Sequence, residues 1–151
     1  MRAAGIELFD KWTSMWNGEL DLVDEIMARE FTLRYAQPGA SDYDDIHGRP
    51  AFAAQIARFR KQRPDLRFTP QGTAVVELDA AGTGLIACPY GAQFTGPHSA
   101  VIDVSGNDIL RVTSGFITEV WSVSGGVGGR SFYARNGHQP TNETAGSASQ
   151  P

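Results

Sequence analysis

The sequence of 151 residues carries a formal net charge of −4, with 41% hydrophobic and 20% charged residues. A chain of this length can bury roughly 70% of its unfolded surface in one domain, so its core needs neither disulfide nor metal. The acidic balance, with a pI near 5.3, argues against a nucleic-acid binder, which shows a basic patch or stripe.

Cys88 stands alone, which excludes an intrachain disulfide and suits a reducing compartment. Residues 1–12 hold no apolar run of signal-peptide length, and no stretch approaches the ~18 apolar residues of a spanning helix. The expectation is a cytoplasmic protein with no nucleic-acid or membrane partner.

Three helices are predicted, all within the first 63 residues. From Gly5 to Trp16, Ile6, Phe9, Trp12 and Trp16 recur at steps of three and four, widened by Leu8 and Met15, before Asn17-Gly18 ends the run. A second helix is expected from Asp21 to Arg29, with Leu22, Val23, Ile26 and Met27 as its apolar face and Asp24 and Glu25 at its positive end. Phe31 to Tyr35 alternates like a strand, and Pro38 to Asp45 reads as a polar loop.

The third helix opens at Pro50, presents Phe52, Ile56 and Phe59, and stops at Pro64. Arg58, Arg60, Lys61, Arg63 and Arg67 cluster at its end, where such a charge run reads as a solvated face.

After Pro64 the period changes to two. Leu66–Asp79, Gly84–Phe94, Ser99–Thr113 and Phe116–Val123 form four strand-like stretches separated by short turn signals, which implies an antiparallel meander. Helices followed by a meander make the class α+β. Residues 136–151 are rich in Gly, Ser, Thr, Asn and Gln and are expected to be a disordered tail behind one domain of residues 1–135. Ile109, Phe116 and Val120 give the outer sheet face apolar character, from which a homodimer through that face is expected.

The residue out of place is Asp108. On the strand Ser99–Thr113 it falls in phase with Ile102, Val104, Leu110 and Val112, on the apolar face. A carboxylate there must find partners or take up a proton, and burial raises its pKa toward the range useful for acid–base chemistry. A bulge at Gly106 would reverse the phase, and a structural pairing with Arg111, Arg34 or a tyrosine is the other alternative. On the preceding strand Ile86, Cys88, Tyr90, Ala92 and Phe94 share a face, so Tyr90 can hydrogen-bond a ligand, tune Asp108, or simply pack.

Cys88 reads as an inert buried thiol. His47 stands at a cavity mouth or on a surface loop, His98 follows a turn, and His138 lies in the tail. No metal-ligand spacing, nucleophile elbow or phosphate loop is found.

The ordered motifs resemble the SnoaL-like polyketide cyclases of the nuclear-transport-factor-2-like superfamily. They are Trp16-Asn17-Gly18-Glu19-Leu20-Asp21, His47-Gly48-Arg49-Pro50, Arg63-Pro64-Asp65-Leu66, Gly106-Asn107-Asp108-Ile109-Leu110-Arg111-Val112 and Glu119-Val120-Trp121, within residues 5–124. The resemblance implies a strongly curved, mostly antiparallel sheet wrapped as a cone around three helices. It also implies a deep apolar pocket, frequent dimerisation and no cofactor.

In those cyclases the aspartate of the Asp-Ile/Val-x-Arg stretch is the acid/base, and Asp108 matches it. Phe94 stands where many relatives have a histidine. The expected activity is acid/base chemistry by Asp108, assisted by Tyr90, on a small apolar carbonyl-bearing or cyclic molecule. Trp16, Tyr35, Phe52, Ile56, Phe59, Phe94, Trp121 and His47 are expected to shape its binding site. A non-catalytic binding domain and a scaffold with a self-filled pocket are the rival expectations.

Overall fold

The computed structural model describes residues 1–132. The expected end of the domain at residue 135, the tail 136–151 and His138 lie outside the described residues. Helix α1 (Arg2–Trp16) buries Phe9, Trp12, Met15 and Trp16, the stripe its spacing predicts. Gly5 lets it press on the sheet, since an added Cβ would come within 2.9 Å of Val76 Cγ2.

Helix α2 is shorter than expected, Leu22–Ile26 rather than Asp21–Arg29. At Met27 the backbone becomes extended, and the chain runs directly into β1 (Met27–Tyr35). Met27 is fully buried and pairs with Ile117, so sheet pairing and burial outweigh a helical pattern that continues through Arg29. The segment expected to be a polar loop contains a 3-10 turn, Ala40–Tyr43, that buries both of those residues. Helix α3 (Arg49–Lys61) carries Pro50 in its first turn and buries Phe52 and Ile56.

The single stretch expected from Leu66 to Asp79 is two strands, β2 (Arg67–Pro70) and β3 (Val75–Leu78). Gly72, with φ of 121°, lies in the break. Both strands pair antiparallel with β4 (Gly84–Thr95), which pairs with β5 (Val101–Thr113) and through it β6 (Phe116–Ser124). The meander is therefore present. β1 then joins β6 in parallel, giving a mixed sheet in the order β1-β6-β5-β4-β2. Together the three helices and this curved sheet form the α+β cone.

The β4–β5 register runs unbroken from Gly84↔Val112 to Thr95↔Val101, so no bulge at Gly106 disturbs the phase of Asp108. Phe52, Ile56, Ile86, Leu110, Val112, Ile117 and Val120 are fully buried between helices and sheet. At roughly 1.5–3 kcal/mol per buried large apolar side chain, these contacts hold the cone together.

Val120 was expected on the outer face, and the structure corrects this. It pairs with Leu110 and Leu33 and points inward with them. The outer face carries Ile109 opposite Trp121, with the Arg111 guanidinium 5.0 Å above the Trp121 ring. Phe116 and Val123 are exposed. Arg34 and Arg111 both donate to Glu119 on this side.

Candidate functional site

Asp108 is only 7% exposed, on the inner face of β5. Its partner is Trp12 on α1, whose Nε1 donates to Oδ2 at 2.8 Å. Neither Arg34 nor Arg111 is available to it, because both engage Glu119 on the other face. Oδ1 is buried and has no hydrogen-bond partner. Burial pushes the carboxyl pKa up to about 6, against the opposing pull of the Ser122 hydroxyl and the Trp12 indole. Ser122 stands directly across from it on β6. Its hydroxyl favours the charged form of Asp108.

Tyr90 reaches this centre because residue 106 is glycine. The two are paired across β4 and β5. An added Cβ at Gly106 would overlap the Tyr90 hydroxyl and lie 2.6 Å from the Val123 carbonyl oxygen. The phenol therefore lies over the β5 backbone, with its hydroxyl toward Ser122 and Ser124 on β6. Burial, and then the Asp108 charge, hold its pKa at about 12, so it is a neutral donor at ordinary pH.

Two more phenols complete a polar arc. Tyr35 and Tyr43 have ring centroids 4.7 Å apart. Burial raises Tyr43 to about 12, and burial with the Asp108 charge raises Tyr35 well above the ordinary value.

A cavity of about 180 Å³ opens onto these groups. Of the residues expected from the sequence, it brings together Asp108, Tyr90, Trp16, Tyr35, Phe59 and Phe94. Trp16 is the hub of its aromatic wall, with Tyr35, Tyr43, Phe59 and Phe68 at centroid distances of 6.4, 6.2, 6.0 and 5.6 Å.

Four expected residues lie elsewhere. Phe52 and Ile56 are fully buried in the core beneath the cavity, where Phe52 packs on Trp12 and Phe31. Trp121 is one position from Ser122, so the strand period turns it to the outer face. His47 is exposed at the β1 edge, with Nδ1 3.3 Å from the Phe31 carbonyl oxygen.

Sequence reasoning missed Trp12, Ser122, Tyr43, Gln37, Phe68 and Arg63, all of which line the cavity. Trp12 had a readable signal, since a buried indole N–H needs an acceptor and the apolar stripe held one carboxylate without a partner. Tyr43 had none, because it arrives on a turn without periodicity. The Gln37 Oε1 is a second buried acceptor lacking a partner.

The basic cluster is not simply a solvated face. Arg60 donates at 2.9 Å to the Trp16 and Leu66 carbonyls. The Arg63 guanidinium lies 4.6 Å from the Phe59 ring centroid and 5.2 Å from that of Phe94. Cys88 is a free, buried thiol whose pKa is raised, first by burial. Among the described residues no group of three or more His, Cys, Asp and Glu side chains is placed to hold a metal ion. None of their helices is long and apolar enough to cross a membrane.

Solved structures share this architecture. A candidate polyketide cyclase from Acidithiobacillus ferrooxidans superimposes with a TM-score of 0.66 at 16% identity, covering 80% of this chain and 87% of that one. IdmH, a candidate polyketide cyclase from Streptomyces antibioticus, gives 0.64 at 18% identity over 80% and 91%. A candidate isomerase of the SnoaL-like family from Agrobacterium tumefaciens gives 0.59 at 20% identity over 81% and 97%. At these identities the likeness is one of fold. No curated protein matches the sequence significantly. The family model described as the SnoaL-like domain matches residues 7–120, most of the helices and sheet that build the cavity, and the chain belongs to the SnoaL-like family.

Proposed function

We propose that this chain is a cofactor-independent enzyme in which Asp108 is the general acid/base acting on a small, largely apolar carbonyl-bearing or cyclic molecule. The observation that carries this reading is the unpartnered Oδ1 of a buried carboxyl lining a cavity, with Oδ2 fixed by Trp12. A group with a pKa of about 6 is mostly ionised at neutral pH yet basic enough to take a proton, the compromise general-base catalysis requires.

In the forward step Oδ1 takes a proton from the carbon next to a carbonyl. The released electron pair forms a carbon–carbon double bond, and the carbonyl π pair moves onto oxygen. The neutral Tyr90 hydroxyl stabilises that oxyanion by donating a hydrogen bond. The protonated carboxyl then returns its proton. Delivery to a different carbon completes an isomerisation, and delivery to a β-hydroxyl expels water. Attack of the enolate on a second carbonyl within the same molecule, with the proton passed to the new alkoxide, closes a ring. The structural neighbours named as candidate cyclases and a candidate isomerase support this class of chemistry.

The test is mass spectrometry of a metabolite extract from the native host, incubated with the wild-type protein and with Asp108→Asn. A compound consumed by the wild type and spared by the variant is expected, its mass change separating isomerisation, water loss and water addition. Full activity in Asp108→Asn overturns the assignment. A compound bound by both proteins and converted by neither selects the non-catalytic binding domain, a reading favoured by Phe94 in place of the histidine of many relatives. The same proposal takes the enzyme to be cytoplasmic, consistent with its free thiol. It also takes the enzyme to be a homodimer through the outer face of β5 and β6, supported by the exposure of Phe116 and Val123 there.

A further inference from the structure

Arg63 is the cation that the proposed chemistry does not use. It lies just beyond the end of α3, lines the cavity and is half-buried. Its guanidinium rests near the rings of Phe59 and Phe94, at 4.6 and 5.2 Å from their centroids. Such contacts desolvate the cation and fix its plane.

No carboxylate of the described residues lies within ion-pair distance of it. The nearest acid in sequence, Asp65, accepts from the backbone N–H and hydroxyl of Thr95 at 3.0 and 2.5 Å. Glu119 is held by Arg34 and Arg111 on the outer face, and Asp103 accepts from Gln93. A partly desolvated guanidinium facing a cavity without an ion-pair partner is unusual, because five N–H donors must then be satisfied by solvent or by a ligand.

The cavity is thus lined by two groups of opposite charge, Arg63 and Asp108. Asp108 is nearly inaccessible, whereas Arg63 is half-buried, so a ligand entering from solvent meets the cation before the carboxyl. The volume of about 180 Å³ lies below the ~300–1,000 Å³ of sites for drug-sized ligands.

We infer that the substrate is a small, largely apolar carboxylic acid whose carboxylate pairs with Arg63, which determines specificity for an acidic substrate. The inference rests on the cavity being the substrate site proposed above, and it names the class of molecule that fits there. Polarity fixes the orientation. A carboxylate is repelled by ionised Asp108 and drawn to the planar fork of Arg63, which donates to it in a bidentate pair. The apolar body then lies along the aromatic wall, with its reactive carbon toward Oδ1. Phe94 acquires a role in this arrangement, holding the guanidinium in place.

The experiment is calorimetric titration at pH 7.5 with benzoate, phenylacetate and cinnamate, each against its methyl ester. The proteins are the wild type, Arg63→Gln and Asp108→Asn. At least one acid is expected to bind the wild type about tenfold tighter than its ester, which corresponds to about 1.4 kcal/mol. Asp108→Asn keeps that preference. Arg63→Gln loses it while its ester affinity stays unchanged, which shows that the pocket is intact.

If no acid outbinds its ester, or if the preference survives in Arg63→Gln, the inference is wrong. Because the readout is binding, it stands or falls apart from turnover. An acid preference that depends on Arg63, beside full activity in Asp108→Asn, would uphold this inference and overturn the catalytic reading.

Discussion

The charge on Asp108 weakens the fold, and the size of that effect can be worked out. The carboxyl pKa rises from an ordinary 3.8 to about 6, first because of burial. A raised carboxyl pKa means that the folded state prefers the protonated form. Below pH 3.8 both states hold the proton and there is no penalty. Between 3.8 and 6 the unfolded chain releases it and the folded chain does not, so stability falls as pH rises. Above 6 the penalty is complete, at about 3 kcal/mol for a shift of about two units.

Asp108→Asn removes the charge while keeping the shape, and an amide oxygen in the place of Oδ2 still accepts from Trp12 Nε1. Urea unfolding of both proteins is therefore expected to show the variant more stable by about 3 kcal/mol at pH 8. At pH 4 the gain falls to about half a kilocalorie per mole. For a domain of this size the difference at pH 8 raises the melting temperature by roughly 6–12 °C. A variant that is less stable at pH 8, or a difference that does not change with pH, refutes the reasoning. The first would mean that the carboxylate is fully compensated in the folded state, the second that packing alone distinguishes the two side chains.

Two further outcomes follow from the geometry. Gly106→Ala places a Cβ against the Tyr90 hydroxyl and the Val123 carbonyl oxygen. It is expected to cost about 1–3 kcal/mol in denaturant unfolding; unchanged stability would mean that Tyr90 does not cross β5 there. Light scattering at micromolar concentration is expected to give twice the 16.3 kDa chain mass, and Phe116→Glu with Val123→Glu to halve it. A monomer in the wild type removes the outer-face homodimer.

Alternation was the most informative signal in the sequence. It placed Asp108 inward with Leu110 and Val112 because β4 and β5 pair without a shift over that stretch, so local period and tertiary register agree. The same rule, applied one residue away, would have turned Trp121 outward, where a large aromatic beside a pocket motif invites the opposite reading. Phe52 and Ile56 show the limit of helical periodicity. It identifies the buried face of α3 but not whether that face meets a cavity or solid core.

The residues that could not be read are those brought in by irregular chain. Tyr43 and Gln37 belong to a segment without period, and Arg63 is aimed by the turn after α3 rather than by the helix. The end of α2 was lost for another reason, since Met27 takes its conformation from a partner on β6, far along the chain.

That distant pairing bears on how the molecule is made. β1 finds its strand ladder on β6, and Trp12 waits for an acceptor 96 positions away. Chains dominated by such remote contacts fold slowly, in milliseconds to seconds, because long loops must close before any contact rewards them. During synthesis Phe52, Phe59 and Phe68 reach Trp12 and Trp16 first, whereas the acceptor for the Trp12 indole arrives only with β5. The wall of the cavity that carries Asp108 and Ser122 is consequently complete only once β5 and β6 have paired.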